Sequence, residues 1–189
     1  MSHEKFLISL KNGDEGAFHK LYEMYSDRIY RFGYNFRRDK EFAENLVQET
    51  FIKIFQNINK FKVDKNCSDP LKSWIYKIAK NHAFNEIKKI KREVERISEC
   101  DNLISDRYED VVKRRIEDKV VEKEELKRVY EKLDSLSLKK RTTFILFFVE
   151  ELTADEVAAI MKENRGSTLK RLQRLKDELK KALTKEGVS

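Results

Sequence analysis

Residues 152–183 read LTADEVAAIMKENRGSTLKRLQRLKDELKKAL. Thr153 and Glu156 stand three apart before an apolar run, the spacing of a capping box. The threonine hydroxyl can accept from the Glu156 amide while the carboxylate reaches back. The spacing predicts a helix carrying Val157, Ala158, Ile160 and Met161. Lys162 to Gly166 reads as a turn, and Ser167 begins a longer helix with Leu172, Leu175, Leu179 and Ala182 on one face. Lys170, Arg171 and Arg174 fall away from that face. A short capped helix, a turn and a helix with a basic outer face form a helix-turn-helix candidate, and an α-helix fits the major groove of DNA. The same pattern suits a helical hairpin with a solvated basic face.

The composition of the 189 residues points the same way. There are one Pro and five Gly, where average usage gives roughly 9 and 13. Folds built from many tight turns need those residues, so the expected class is all-α. Charged residues make up 40% of the chain and the net charge is +7. Such a balance suits a polyanionic partner, nucleic acid or an anionic membrane surface. No apolar run approaches the length of a membrane span. The start, MSHEKFLISLKNGDEG, lacks the apolar core of a signal peptide, so a cytoplasmic protein is expected. Cys67 and Cys100 form no CxxC pair and read as incidental reduced thiols.

Upstream, residues 1–96 carry three amphipathic sets. The first is Phe18, Leu21, Tyr22, Tyr25, Ile29 and Phe32. The second is Phe42, Leu46, Phe51, Ile54, Phe55 and Ile58. The third is Trp74, Ile75, Ile78, Ala79 and Ile87. Asn59 to Asp69 breaks the rhythm and ends in Ser68-Asp69-Pro70, a cap followed by Pro at a first helical position. The helix that follows interleaves basic and aromatic residues, which can track a backbone and stack on unpaired bases. The polar loop before it has room for an extruded base. Large aromatics mostly carry core energetics, so core packing is the first reading of Trp74 on the residues alone. Glu44, Asn45, Gln48 and Glu49 make a polar, acidic patch that fits a basic protein surface better than nucleic acid. Residues 97–125 are weak in apolar periodicity and dense in charge of both signs, and read as a linker. In the segment 126–189, Val129, Leu133, Leu136, Phe144, Ile145, Phe147 and Phe148 give two apolar helical stretches before the helix-turn-helix.

The order of these motifs resembles the sigma-70 family of RNA polymerase sigma factors, extracytoplasmic-function (ECF) type. The carriers are Gly13-Asp14-Glu-Gly-Ala17-Phe18-His-Lys-Leu21-Tyr22, Ala43-Glu-Asn-Leu-Val-Gln-Glu-Thr-Phe51 and Trp74-Ile-Tyr-Lys-Ile78-Ala-Lys-Asn81. In the last segment they are Leu133-Asp-Ser-Leu136-Ser137, Arg141-Thr-Thr-Phe144 and Leu152-Thr-Ala-Asp-Glu156-Val-Ala158. The resemblance implies a sigma-2-like domain and a helix-turn-helix sigma-4-like domain joined by the charged linker. It implies that Glu44, Asn45, Leu46, Gln48, Glu49 and Phe51 bind the β′ clamp helices of core polymerase. It implies that Lys62, Lys65, Asn66, Trp74, Lys77, Lys80, Asn81 and Lys88 meet the −10 promoter element. Arg165, Ser167, Thr168, Lys170, Arg171 and Arg174 would meet the −35 element, with the β flap on the outer surface of that domain. An anti-sigma partner is implied as well. Lys162 and Glu163 stand where the family usually has Gly and an apolar residue. The ungapped match buries Thr168, and a shift of one residue would bury Leu169 instead.

Catalytic readings fail on inventory. His3 is terminal, and His19 and His82 lie in helical patterns without a Cys or second His at ligand spacing. No phosphate-cradling glycine motif appears. No cofactor, metal or enzymatic activity is expected. The leading expectation is an alternative sigma factor, and the rival is a stand-alone helix-turn-helix regulator that binds DNA or RNA without polymerase.

Overall fold

Asp14 and Asp39 start the two helices around which the N-terminal core forms. The Asp14 carboxylate accepts from the Ala17 amide at 2.6 Å, opening α2 (Glu15–Arg37). The Asp39 carboxylate accepts from the Phe42 amide at 3.1 Å, opening α3 (Lys40–Asn57). These are the cap geometries that satisfy orphan helix amides. Arg38 turns left-handed at φ 57° to end α2, so two residues separate the helices and they lie side by side as a hairpin. Gly33 permits their close approach: a Cβ there would meet Ala43 Cα and Leu46 Cδ2, each at 3.0 Å.

The computed structural model describes residues 3–64, 67, 69–100 and 131–184. Lys65, Asn66, Ser68 and residues 101–125 of the expected linker, with Val129, lie outside the described residues. The chain divides into two compact units, Met1–Ala83 and Phe84–Ser189. Every regular element among the described residues is helical. None of these helices is long and apolar enough to cross a membrane.

In the first unit, Leu21, Tyr25, Ile29, Phe32 and Phe36 of α2 are buried with Ala43, Leu46, Val47 and Ile54 of α3. Phe6 and Leu10 of α1 (His3–Lys11) join this core. Burial, and then the charge of Asp69, pushes the Tyr25 phenol up to about 12. A short 3₁₀ turn, Ile58–Lys60, follows α3. The long helix α4 (Pro70–Cys100) then begins where the Pro predicts, with Asp69 accepting from the Lys72 amide at 2.9 Å. It runs through residue 97, where the linker is expected to begin. Its Tyr76 meets Phe32 edge-on at 6.0 Å.

The second segment contains a helical turn at 131–134, α5 (Leu138–Phe144), a π-helical turn (Ile145–Val149), α6 (Ala154–Met161) and α7 (Arg165–Thr184). Arg141 binds the turn to α5 by donating to the carbonyls of Leu133 at 2.9 Å and Asp134 at 2.6 Å. The π turn replaces the plain α-helix expected around Phe147. It closes with Glu150 N–H donating to the Ile145 carbonyl, five residues back. The capping box forms as expected, the Glu156 amide donating to Thr153 and the Glu156 carboxylate accepting from the Thr153 amide. The expected turn from Lys162 to Gly166 is shorter than its sequence suggests. Asn164 accepts from the Ser167 amide at 2.7 Å, so α7 starts at Arg165 rather than Ser167. Lys162 takes the left-handed position that usually belongs to Gly.

Leu172 and Leu175 of α7 are buried, and so is Thr168. The Thr168 hydroxyl is fully enclosed and has no hydrogen-bond partner. A buried unpaired hydroxyl costs roughly 1–3 kcal/mol. Thr168→Val keeps the shape and removes the orphan. It should stabilise the C-terminal segment by about 1 kcal/mol, read as a higher urea midpoint at unchanged slope; a lower midpoint would show that the hydroxyl is bonded in solution.

Candidate functional site

Three surfaces gather the sequence-predicted residues. On the first, Glu44, Gln48, Phe51 and Phe55 recur at helical intervals and share one face of α3. Across the hairpin, Tyr22 packs on Phe51 with ring centres 4.8 Å apart, and Phe18 packs on Phe55 at 5.1 Å. With Gln48 and Ile52 they line an open groove of about 680 Å³. Tyr22 is 47% exposed, Ile52 49% and Phe55 64%. The sequence pattern listed Phe18, Tyr22 and Phe55 in its amphipathic helical sets and did not single out this groove. The available signal is the width of the α3 apolar arc: Phe51, Ile52, Ile54 and Phe55 span more than the ~100° stripe one neighbouring surface covers.

The expected partner-binding set does not stay together. Leu46 is completely buried in the hairpin core and is corrected from a contact to a packing residue. Asn45 is exposed but lies roughly 90° round the helix from the groove row. Glu49 lies further round, 3.9 Å from Lys53. Lys53 in turn reaches His82 Nδ1 of α4 at 2.9 Å.

On α4, Trp74, Lys77, Asn81 and Lys88 recur at three, four and seven residues and share a face. Asn81 and Lys88 are exposed, and Lys77 is partly so. Trp74 is half-buried, its ring 5.1 Å from that of Phe61. Lys80 is 7% exposed and points to the inner side of α4. Burial removes it from the expected phosphate contacts. Lys62 is exposed in the preceding loop beside Val63 and Asp64. Cys67 Sγ, at the far end of that loop, lies 3.2 Å from Ser73 Oγ on the first turn of α4.

The third surface is α7. Arg165, Ser167, Lys170 and Arg174 are exposed. Arg165 Nε also pairs with Asp155 of α6 at 2.9 Å, with both side chains open to water. Two expected DNA contacts are corrected. Thr168 faces the core, which fixes the ungapped register and leaves Leu169 outside. Arg171 turns inward, donating to Glu163 at 2.5 Å and to the Thr143 hydroxyl at 3.1 Å. Lys139 also pairs with Glu163. Burial opposes the charged form of Glu163, but hydrogen bonds from Lys139 and Arg171 outweigh it and hold the carboxyl below its ordinary range. This cluster ties the turn and α7 to α5.

Comparisons with known proteins converge. Residues 21–93 match the family model of sigma-70 region 2. Over 188 residues the chain is 29% identical to the ECF RNA polymerase sigma factor SigW of Bacillus subtilis (strain 168), covering 97% of each chain. It is 29% identical over 170 residues to SigM of the same organism, covering 90% of this chain and 96% of that one. Among solved structures, one similar fold is the sigma factor RpoE in complex with the anti-sigma factor NepR from Bartonella quintana. Its TM-score is 0.67 at 21% identity, over 89% of this chain and 98% of that one. CnrH in complex with the cytosolic domain of CnrY gives a TM-score of 0.67 at 16% identity, over 96% and 97%. At these identities the structural likeness bears on the fold.

The Glu163 cluster has a pH signature. Its folded carboxyl is lowered from the ordinary value of 4.5, so the pairing stabilises above that value and is lost as pH falls through the folded one. Glu163→Gln should cost about 1.5–3 kcal/mol near neutral pH, the range for a hydrogen bond to a charged group. The difference from the parent protein should shrink below pH 4.5. Urea melts at pH 7 and pH 3 check it, and a pH-independent difference counts against the pairing.

Proposed function

We infer that this chain is a sigma factor of the sigma-70 family, ECF type, from the match of residues 21–93 to sigma-70 region 2 and its near end-to-end similarity to SigW and SigM. It is an alternative sigma factor that directs promoter recognition in transcription initiation. Within that function we propose a division of labour. Residues 1–96 form the sigma-2-like domain, 97–125 the linker, and 126–189 the sigma-4-like domain. The groove between α2 and α3 seats the β′ clamp helices of core polymerase. Lys62, Trp74, Lys77, Asn81 and Lys88 meet the −10 element, with Lys65 and Asn66 in the adjoining loop. Arg165, Ser167, Lys170 and Arg174 meet the −35 element, while the outer surface of the same domain meets the β flap. The chain works in the cytoplasm as a non-enzymatic factor, the polymerase supplying the chemistry. An anti-sigma factor covers one of these surfaces when the protein is silent; the similar folds of RpoE and CnrH are each known in a complex of that kind or with a cytosolic domain.

The observation that carries the polymerase assignment is the pair of aromatic contacts in the groove. Tyr22 keeps about half and Phe55 nearly two thirds of its surface in water although each packs on an aromatic ring of the other helix. A contiguous exposed apolar patch with a polar rim marks a docking surface. Glu44 and Gln48 supply that rim, and their polar, acidic character complements a basic helical surface. The stand-alone regulator reading is not favoured, since it gives this groove no partner.

Burying an aromatic side chain such as Phe55 contributes roughly 1.5–3 kcal/mol. Phe55→Ala should therefore weaken binding to core polymerase by at least tenfold, and Gln48→Lys should weaken it further. Both positions are exposed, so thermal melts should stay close to the parent protein. Fluorescence anisotropy with labelled protein and core enzyme measures the affinity. Unaltered affinity of the double variant, with the fold intact, would remove the groove from the interface.

A further inference from the structure

The buried side of α7 is made by Thr168, Leu172 and Leu175, while Gly166, Lys170, Gln173 and Arg174 are exposed. Leu169 does not belong to the buried set. It is 42% exposed, and it is the one large apolar residue so exposed among the described residues of α7. It lies in the second turn of the helix, between Ser167 and Lys170. In a helix-turn-helix the N-terminal residues of the second helix are the ones that reach base edges.

Gly166 adds an independent observation. Its φ is not positive, and a Cβ there would meet only Asn164 Oδ1, at an ordinary 3.5 Å. Neither backbone strain nor internal packing demands a glycine, although glycine weakens a helix. Side chains on a helix lean over the turn N-terminal to their own Cα. Leu169 thus leans toward Gly166, three positions earlier, which is exposed and carries no side chain.

We propose that Leu169 is a specificity-determining residue that reads the C5 methyl group of a thymine in the −35 element. The inference rests on the reading of α7 as the DNA-reading helix. Major-groove base edges present hydrogen-bond donors and acceptors and one apolar group, the thymine methyl. Leucine has nothing to offer the donors and acceptors. Set against a cytosine amine or a guanine oxygen, it strips water from that atom without replacing the hydrogen bond. Against a methyl group it removes apolar surface on both sides. Gly166 leaves room for the base edge to come close. Lys170 and Arg174 flank this contact and hold the backbone, which positions the helix without selecting sequence.

The experiment uses holoenzyme reconstituted from this chain and core polymerase. Duplex pools randomised across the −35 window are prepared in two forms, with thymine or with uracil, which lacks only the methyl. Parent holoenzyme should enrich thymine at one position in the first pool. That preference should fall about fourfold in the uracil pool, the value of burying one methyl group. Leu169→Ala holoenzyme should bind both pools alike at that position and keep its preferences elsewhere. Placing 5-methylcytosine there in a selected site should recover part of the affinity lost on changing thymine to cytosine, with the parent protein only. Equal thymine and uracil preference by the parent, or continued discrimination by Leu169→Ala, overturns the assignment of Leu169. Failure of the parent to enrich any sequence in the window overturns the DNA-reading assignment of α7, and this inference with it.

Discussion

The two-residue turn at Arg38 and Asp39 constrains the rest of the N-terminal unit. It holds α2 and α3 side by side, and Gly33 lets their backbones come close enough for Leu46 and Ala43 to fill the seam. Once the seam is that tight, each helix has buried one face and still carries aromatic residues on the next. Phe18, Tyr22, Phe51 and Phe55 then pair across the hairpin and stay partly in water. The groove is a consequence of close helix packing and an overly wide apolar arc.

The C-terminal segment solves a different problem. A helix-turn-helix needs a tight turn, and this one is built without glycine at Lys162 or an apolar plug at Glu163. Left-handed backbone at Lys162 carries a steric cost for a residue with a Cβ. The offset is electrostatic: Glu163 collects Lys139 from α5 and Arg171 from α7, and Arg171 continues to Thr143. A charge cluster with 14–15% side-chain exposure at Arg171 and Glu163 is little screened by water, unlike the open Arg165–Asp155 pair. The departure from the family pattern is thus compensated within three helices, at the expense of one cation from the outer face.

Much of this architecture was legible in the sequence because it depends on local rules. The capping box at Thr153, the start of α4 behind Asp69 and the apolar faces of α2 and α7 each follow from residues within one or two turns. Failures cluster where tertiary context decides. Amphipathic spacing says which residues are apolar, but not whether a neighbouring element arrives to cover them, and so it sets the exposed Phe55 in one series with the buried Ile54. A basic residue beside a polar face reads as a surface cation, but Lys80 is buried on the inner side of α4 and Arg171 is drawn inward by Glu163 and Thr143. The start of α7 moved because Asn164, one of several residues able to cap, is the one that does. The π turn at Ile145–Val149 has no periodic signal of its own.

These inward cations change what the net charge means. A balance of +7 invites a count of phosphate contacts, and each such contact adds to affinity for any nucleic acid. Yet Lys80 is buried, Lys53 is engaged with His82 and Glu49, and Arg171 serves the turn. Of the cations left exposed on α7, Lys170 and Arg174 stand nearest the start of the helix after Arg165, and they can position it without naming a sequence. Selectivity must then come from groups that pay a penalty on the wrong base. An exposed leucine does so more sharply than a lysine, because a flexible ammonium finds an acceptor on many base edges while an apolar side chain has one favourable partner in the groove. An exposed Leu169 beside Lys170 therefore adds discrimination where another cation would add only general affinity.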